Sequence, residues 1–451
     1  MILLKKAIAL FQNIHIQSLL GNGVMAIFGV VSLGLLYRAL SIEDIGIYVF
    51  FMTIYLLMDN IKMGLLTNAF LKFYSGTTGQ RANEVLGSTW ALGLALTGFF
   101  ILLNIAAFFV MHFIKNEGLL LLIQYFSFIA LATLPSFMAN LVVQGDKRFD
   151  RLLWLRLINQ VIFTGTILVL MILKKSTLHT IILTFIGANL IASIATILFG
   201  WTKIGTLKYS SKKTFLDIFH FGKYSMGTNL SSKLFGVVDI FFINYFLGSA
   251  ALAMYNLGGR LLQFVEIPLL SFAASGMPSL AAFFNNDKKD EMMYLMKKMV
   301  GMLTIGFIII AVFSIIFAQP IITIIGGEKY AHSETVNLFR IFMIIAIMYP
   351  SDRFFALTLD VMNKPNINFY KIIVMLLINL VADYAFILVF KNVYGIAFAN
   401  VFPVLAAISI SYFYLNKYSP FNFWGVFKVG FVESIALVKL VYQNTFSKSM
   451  T

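Results

Sequence analysis

The residues able to do chemistry are charged side chains set inside long apolar runs. Asp59 and Lys62 fall within 45–71, Lys233 and Asp239 within 225–248, and Arg260 and Glu266 within 252–284. Asp352, Arg353 and Asp360 fall within 338–362, and Asp383 within 367–390. A charge at the centre of a bilayer costs roughly 2.5–3.5 kcal/mol on insertion scales, so such groups must face a bundle interior or an aqueous cavity. Arg38, Arg156, Arg340 and Asp360 stand near the ends of their runs, where a side chain reaches headgroup water without any role in binding. Asp59 and Lys62 are three apart on one helix face and can simply neutralise each other, as can Asp352 and a base on a neighbouring helix.

Fixed cations among these groups suit an anionic headgroup such as a pyrophosphate, because ammonium and guanidinium groups give charge-assisted hydrogen bonds to phosphate oxygens. A cationic drug would be met by carboxylates alone. The substrate-binding candidates are Lys233, Arg260 and Arg353, placed deepest, followed by Arg38 and Lys62. The ion-coupling candidates are Glu266, Asp59, Asp239 and Asp352. Lys62 should hold Asp59 ionised, whereas position 269, the corresponding place one turn after Glu266, is leucine. Glu266 is therefore the better proton carrier and Asp59 the more structural acid.

Other chemistry is poorly supplied. Cysteine is absent and the five histidines are scattered, so no metal or other cofactor is expected. The chain has no GxxxxGK loop for nucleotide hydrolysis, and its outer connections are too short for the polar machinery of a polysaccharide polymerase or glycosyltransferase. That enzyme class remains one rival reading. A drug or cation antiporter is the other.

Stepping out from these residues, 60% of the 451 positions are hydrophobic and only 12% are charged, against roughly 25% charged in soluble domains. Twelve apolar runs of spanning length lie near 16–40, 45–71, 85–113, 118–143, 152–173, 178–200, 225–248, 252–284, 299–318, 338–362, 367–390 and 394–415. The first is too long for a cleaved signal and is expected to stay in the mature chain. The net charge of +15 is spread over short connections rather than gathered in a basic domain, which speaks for membrane orientation and against a nucleic-acid partner. Only Lys115, Lys174, Lys175, Lys329 and Lys391 fall on one side, while the rest of the loop cations, including Lys5, Lys6, Lys371 and Lys448, fall on the other. Both termini are thus expected in the cytoplasm of a cell whose plasma or inner membrane holds the chain.

The expected architecture is all-α and integral to the membrane, with twelve transmembrane helices as two six-helix repeats around a central cavity. Its parts are an N-terminal bundle (1–205), an interfacial linker helix (206–224), a C-terminal bundle (225–418) and an amphipathic tail or partial thirteenth span (419–451). In the linker, Phe215, Ile218 and Phe219 form one stripe, read as lying on lipid while Lys212 and Lys213 stay among headgroups. A shift of 207 residues aligns Asn22 with Asn229, Phe28-Gly29-Val30-Val31 with Phe235-Gly236-Val237-Val238, Tyr48 with Tyr255, and Asp59 with Glu266. Later echoes pair Pro135 with Pro350, Asn159 with Asn379, and Asn189 with Asn400. Pro135 and Pro350 are read as kinks. A unit with an even number of spans enters and leaves on the same side, so the halves share one orientation.

The stretches YRALSIEDIGIYVFFMTIY (37–55), GVVDIFFINYFLGSAALAMYNLGGRL (236–261) and IIGGEKYAHSETVNLFRIF (324–342) resemble those of the Wzx-type oligosaccharide flippases. These belong to the multidrug, oligosaccharidyl-lipid and polysaccharide (MOP) exporter superfamily, whose fold is MATE-like. The second stretch singles out Asp239 and Tyr255. After Phe221-Gly222, where members often carry proline, this chain has Lys223. The resemblance implies alternating-access movement of an undecaprenyl-pyrophosphate-linked oligosaccharide to the outer leaflet for surface polysaccharides such as O-antigen. It also implies H+ or Na+ as coupling ion, and a polysaccharide polymerase as neighbour.

Overall fold

The computed structural model describes residues 14–446. Lys5, Lys6, Lys448 and the side chain of Asn22 therefore lie outside the described residues. Among the described residues every regular element is helical. In lipid each backbone donor and acceptor needs a partner within the protein, and a helix supplies them locally.

The chain folds as two compact units, Met1–Val237 and Val238–Thr451. The first contains α1 (Ile14–Ala39), α2 (Ile42–Tyr74), α3 (Gly79–Phe109), α4 (Glu117–Gly145), α5 (Phe149–Ile172), α6 (Leu178–Leu198) and most of α7 (Lys212–Phe246). The second continues with α8 (Ser249–Arg260), α9 (Gln263–Asn285) and α10 (Lys289–Ile316), then two short helices at Ala318–Gly326 and Glu328–Ala331. It ends with α11 (Thr335–Ala346), α12 (Tyr349–Val361), α13 (Pro365–Phe390), α14 (Val393–Ala399), α15 (Val401–Tyr418) and α16 (Phe423–Phe446).

Ten helices or helix pairs are long and apolar enough to cross a bilayer. They match ten of the twelve runs read from sequence. The remaining two correspond to α1, whose described apolar part is Ile27–Ala39, and to the second half of α7, which carries Asn229, Lys233 and Asp239. Side chains set the starts: Ser41 Oγ accepts from Asp44 N at 3.0 Å before α2, and Thr177 and Thr180 form a capping box on α6.

The two prolines read as kinks behave differently. Pro135 sits inside an unbroken α4, where Ser193 Oγ donates to Ala132 O at 2.5 Å and accepts from Ser136 N at 3.1 Å. Pro350 instead opens α12 directly after a tight turn at Ile347–Met348. The spans 249–285 and 393–418 are also interrupted, between α8 and α9 and at Asn400 between α14 and α15. Three spans of the second unit are thus broken helices, each with helix ends inside its length.

The linker departs from expectation. Ile204–Tyr209 is a 3-10 segment, and α7 then runs without a break through the boundary expected at 224/225. Ile218 is fully buried in the core with Leu65, Leu66, Phe70 and Trp90, and Phe215 packs against the same cluster. The apolar stripe therefore faces the bundle rather than lipid, and of its members only Phe219 is exposed. Close approach of backbones makes this possible. A Cβ on Gly222 would lie 2.1 Å from Leu65 O, and one on Gly64 2.9 Å from Met226 Cα. Nearby, Lys203 Nζ donates to Tyr74 Oη at 2.9 Å and to Asp146 Oδ2 at 2.8 Å. Burial alone would lower the Lys203 pKa, but these bonds lift it above the ordinary lysine value.

Overpacking a tight site typically costs about 1–3 kcal/mol, and backbone cannot rotate away, so Gly222→Ala should lose about 3 kcal/mol. Gly227→Ala, whose added Cβ has nothing within 4 Å, serves as the control. Thermal unfolding of the purified protein should drop by several degrees for the first variant alone. Equal melting temperatures would show that the α2–α7 seam relaxes.

The tail packs on α10 through a second glycine crossing, since a Cβ on Gly301 would meet Gly430 Cα at 2.6 Å. Glu433 pairs with Lys298 and accepts from Tyr294 Oη at 2.5 Å. α16 is not among the ten spanning helices.

Candidate functional site

A cavity of about 330 Å³ with charged and polar side chains in its wall lies in the first unit, bounded by α1, α2, α4, α5 and α6. Asp59 and Lys62, one turn apart on α2, meet there with Nζ 2.6 Å from Oδ1. The Lys62 side chain is only 6% exposed and its ammonium lies 5.0 Å from the centre of the Phe137 ring. Arg156 of α5 also lines the space. The remaining polar lining is four carboxamides and the hydroxyls of Tyr55, Thr67, Thr133 and Ser136. Gln144 Nε2 donates to Asn140 Oδ1 along α4, Asn159 Nδ2 donates to Asn189 Oδ1 at 2.9 Å, and Asn189 Nδ2 donates to Phe185 O at 2.8 Å.

A different polar cluster occupies the second unit. Asp239 of α7 is 5% exposed and accepts from Asn379 Nδ2 at 2.9 Å, from Asn400 Nδ2 at 3.0 Å and from the Tyr255 hydroxyl. Asn379 Nδ2 also donates to Asp383 Oδ2 at 2.9 Å, and Asp383 is itself within hydrogen-bond reach of Asp239. Asn379 and Asp383 are fully buried, and Oδ1 of each has no hydrogen-bond partner. No ion pair among the described residues involves either acid. Two carboxylates this close in a dry interior need a proton or a cation between them, and an all-oxygen donor set suits a small hard cation.

A family model described as polysaccharide biosynthesis protein matches residues 35–335. The chain belongs to that family. No curated protein matches the chain. Among solved structures, an inward-facing multidrug resistance MATE family transporter of the MOP superfamily superposes with a TM-score of 0.68 at 15% identity, over 92% of this chain and 96% of that one. The lipid II flippase MurJ, inward closed, gives 0.68 at 15% identity over 94% and 92%. A MOP superfamily transporter from Pyrococcus furiosus gives 0.59 at 14% identity over 89% and 94%. At such identities the likeness shows the fold alone, which is like that of the MATE transporter and of MurJ. This member of the polysaccharide biosynthesis family is a multi-pass membrane protein, and the Wzx-type resemblance read from its motifs holds for family and fold.

Of the other residues singled out from sequence, Arg260, Glu266, Asp352 and Arg353 lie on the broken helices of this family member. Arg260 ends α8, while Glu266 and Asp352 lie in the first turns of α9 and α12. Each sign matches the helix dipole at its own terminus, which offsets part of the cost of placing charge there. Tyr349 lies within electrostatic reach of Glu266, Asp239 and Asp352. Asp352 pairs with Lys371 at 2.8 Å. Lys371 is 4% exposed on α13, so its assignment to a cytoplasmic loop is corrected: Pro365 starts the helix and Lys371 lies on its buried face. Lys233, Arg260 and Arg353 are exposed and enter no ion pair among the described residues. Arg38 and Glu266 are exposed as well.

Sequence reasoning passed over Asp383 as a site residue and missed Asn379, Asn400, Asn140 and Gln144. Two of these had left a signal, because Asn379 and Asn400 are the repeat partners of Asn159 and Asn189.

Proposed function

We propose that this protein moves an undecaprenyl-pyrophosphate-linked oligosaccharide from the cytoplasmic to the outer leaflet by alternating access, with both termini cytoplasmic and no covalent chemistry. The observation that carries the reading is the cavity of the first unit. Within an otherwise apolar bundle it offers Lys62, Arg156 and several carboxamides, which suits an anionic, hydroxyl-rich headgroup. A cationic drug finds a single acid there, already paired with Lys62. Within each unit the exposed cations, Lys233 and Arg38 in the first and Arg260 and Arg353 in the second, are the candidates for contact with the pyrophosphate. The coupling ion, H+ or Na+, is assigned to Asp239 and Asp383, with Asp59 and Asp352 held by their lysines and Glu266 as a secondary carrier.

The purified protein in vesicles containing undecaprenyl-pyrophosphate-linked oligosaccharide should expose the inner-leaflet glycan to periodate added outside. Vesicles without protein should keep about half of it protected, as two leaflets dictate. Continued protection of that half in the presence of protein that exchanges ethidium for an ion would reverse the assignment in favour of the antiporter.

A further inference from the structure

The two halves use equivalent amides for different ends. In the second unit Asn379 and Asn400 both spend their amide donors on Asp239. The position that corresponds to Asp239 at the 207-residue offset is Ser32, whose hydroxyl meets Thr164 Oγ1 at 2.6 Å and accepts from Gln160 Nε2 at 2.7 Å. No carboxylate therefore takes up Asn159 and Asn189, the partners of Asn379 and Asn400. They bond to each other across the wall of the cavity, and among the described residues the Asn159 carbonyl has no partner. Gln144 shows the same pattern, its donor engaged by Asn140 and its carbonyl unpartnered at the cavity lining. Neither carbonyl is among the buried atoms cut off from space, so both are available to a ligand.

We propose that this cavity is a sugar subsite, binding the pyranose nearest the pyrophosphate through the carboxamides of Asn159, Asn189, Asn140 and Gln144. The assignment rests on the flippase reading and names which part of the cargo enters the first unit. A carboxamide both donates and accepts, as does a sugar hydroxyl, whereas a phosphate only accepts and a cation needs only acceptors. Tyr55 and Phe185 meet edge to face with centroids 5.9 Å apart and supply an apolar wall for the C–H face of the ring. The volume lies at the small end of ligand pockets, enough for sugar rings and far short of an undecaprenyl chain. Apart from Arg156 the lining is neutral, since Asp59 pairs with Lys62 and the four amides carry no charge, which suits a neutral sugar at the amides.

The test compares, on the full chain in nanodiscs, the affinity for bare undecaprenyl pyrophosphate with that for the same lipid bearing N-acetylglucosamine, galactose or glucose. At least one sugar-bearing lipid should bind about tenfold tighter than the bare one, the worth of one or two well-made hydrogen bonds. Gln144→Met, close to isosteric, and Asn159→Leu should bring that ratio to within about twofold of unity, by loss of the same bonds. Melting curves of both variants identify the folded protein on which the ratio is read. A ratio near one in the wild type, or one unchanged in a folded variant, overturns the sugar subsite while leaving the flippase reading intact. If the wild type binds none of these lipids, the flippase reading falls and the subsite with it.

Discussion

Asp239→Asn should abolish ion-driven transport. The substitution turns one accepting oxygen into a donor facing the donors of Asn379, Asn400 and Tyr255. Hydrogen bonds to a charged group are worth about 1.5–3 kcal/mol each, so the cluster cannot keep its present geometry. Transport under an imposed Na+ or pH gradient is expected to fall below about a tenth of the wild-type rate, the loss of a single such bond being already about tenfold. Asp383→Asn is the gentler companion. It removes the second of two close carboxylates while keeping the shape, so the protein should fold, yet its melting temperature should no longer rise with added Na+ or change with acidification. The comparison is made on purified protein in a sodium-free buffer titrated with NaCl. Persistence of ion-dependent melting in both variants would move the coupling role to Glu266.

Lys62→Met should cost the most folded protein. Breaking a buried ion pair from one side costs about 3–5 kcal/mol because the remaining charge has lost its partner. Asp59 is 19% exposed toward the cavity, which places this case at the lower end, about 3 kcal/mol. The double variant Lys62→Met with Asp59→Asn removes both charges and should restore the yield of monodisperse protein, but not transport, since the cavity has lost a cation. Size-exclusion profiles and melting temperatures read the first effect, and the periodate assay reads the second. A Lys62→Met protein as stable as the wild type would show that the pair carries no structural weight.

The fold was legible because a bilayer imposes so few options. Runs of apolar residues broken by Gly, Pro and charge map onto helices, and ten of those expected meet the spanning criterion among the described residues. What the sequence concealed were matters of facing. Ile218 has the spacing of a lipid-facing stripe, yet Gly222 and Gly64 let α7 approach α2 so closely that the stripe is covered. Lys371 reads as a loop cation because it follows Lys364 and Pro365 by a few residues, although the helix has already begun. The pairing of Asp59 with Lys62 was visible because its partners share one helix. The pairing of Asp239 with Asp383 was not, since its acids stand 144 positions apart in sequence and on different helices, with Asn379 bonded to both. Asp239 and Tyr255 were singled out one by one, and the doubled asparagines of the repeat pointed to the same place, but nothing tied Asp383 to them.

The two polar sites share no atom, because the acid pair is made wholly by residues of the second unit and the amide-lined cavity wholly by those of the first. An ion and a glycan bound in these places do not displace one another as rivals for the same ligands. Each can influence the other only by preferring a different conformation of the chain, and a preference of that kind is reciprocal: whatever factor the ion applies to glycan affinity, the glycan applies to ion affinity. Under that assignment, the ion affinity measured at saturating glycolipid differs from that measured without glycolipid by the same factor that the ion applies to glycolipid affinity.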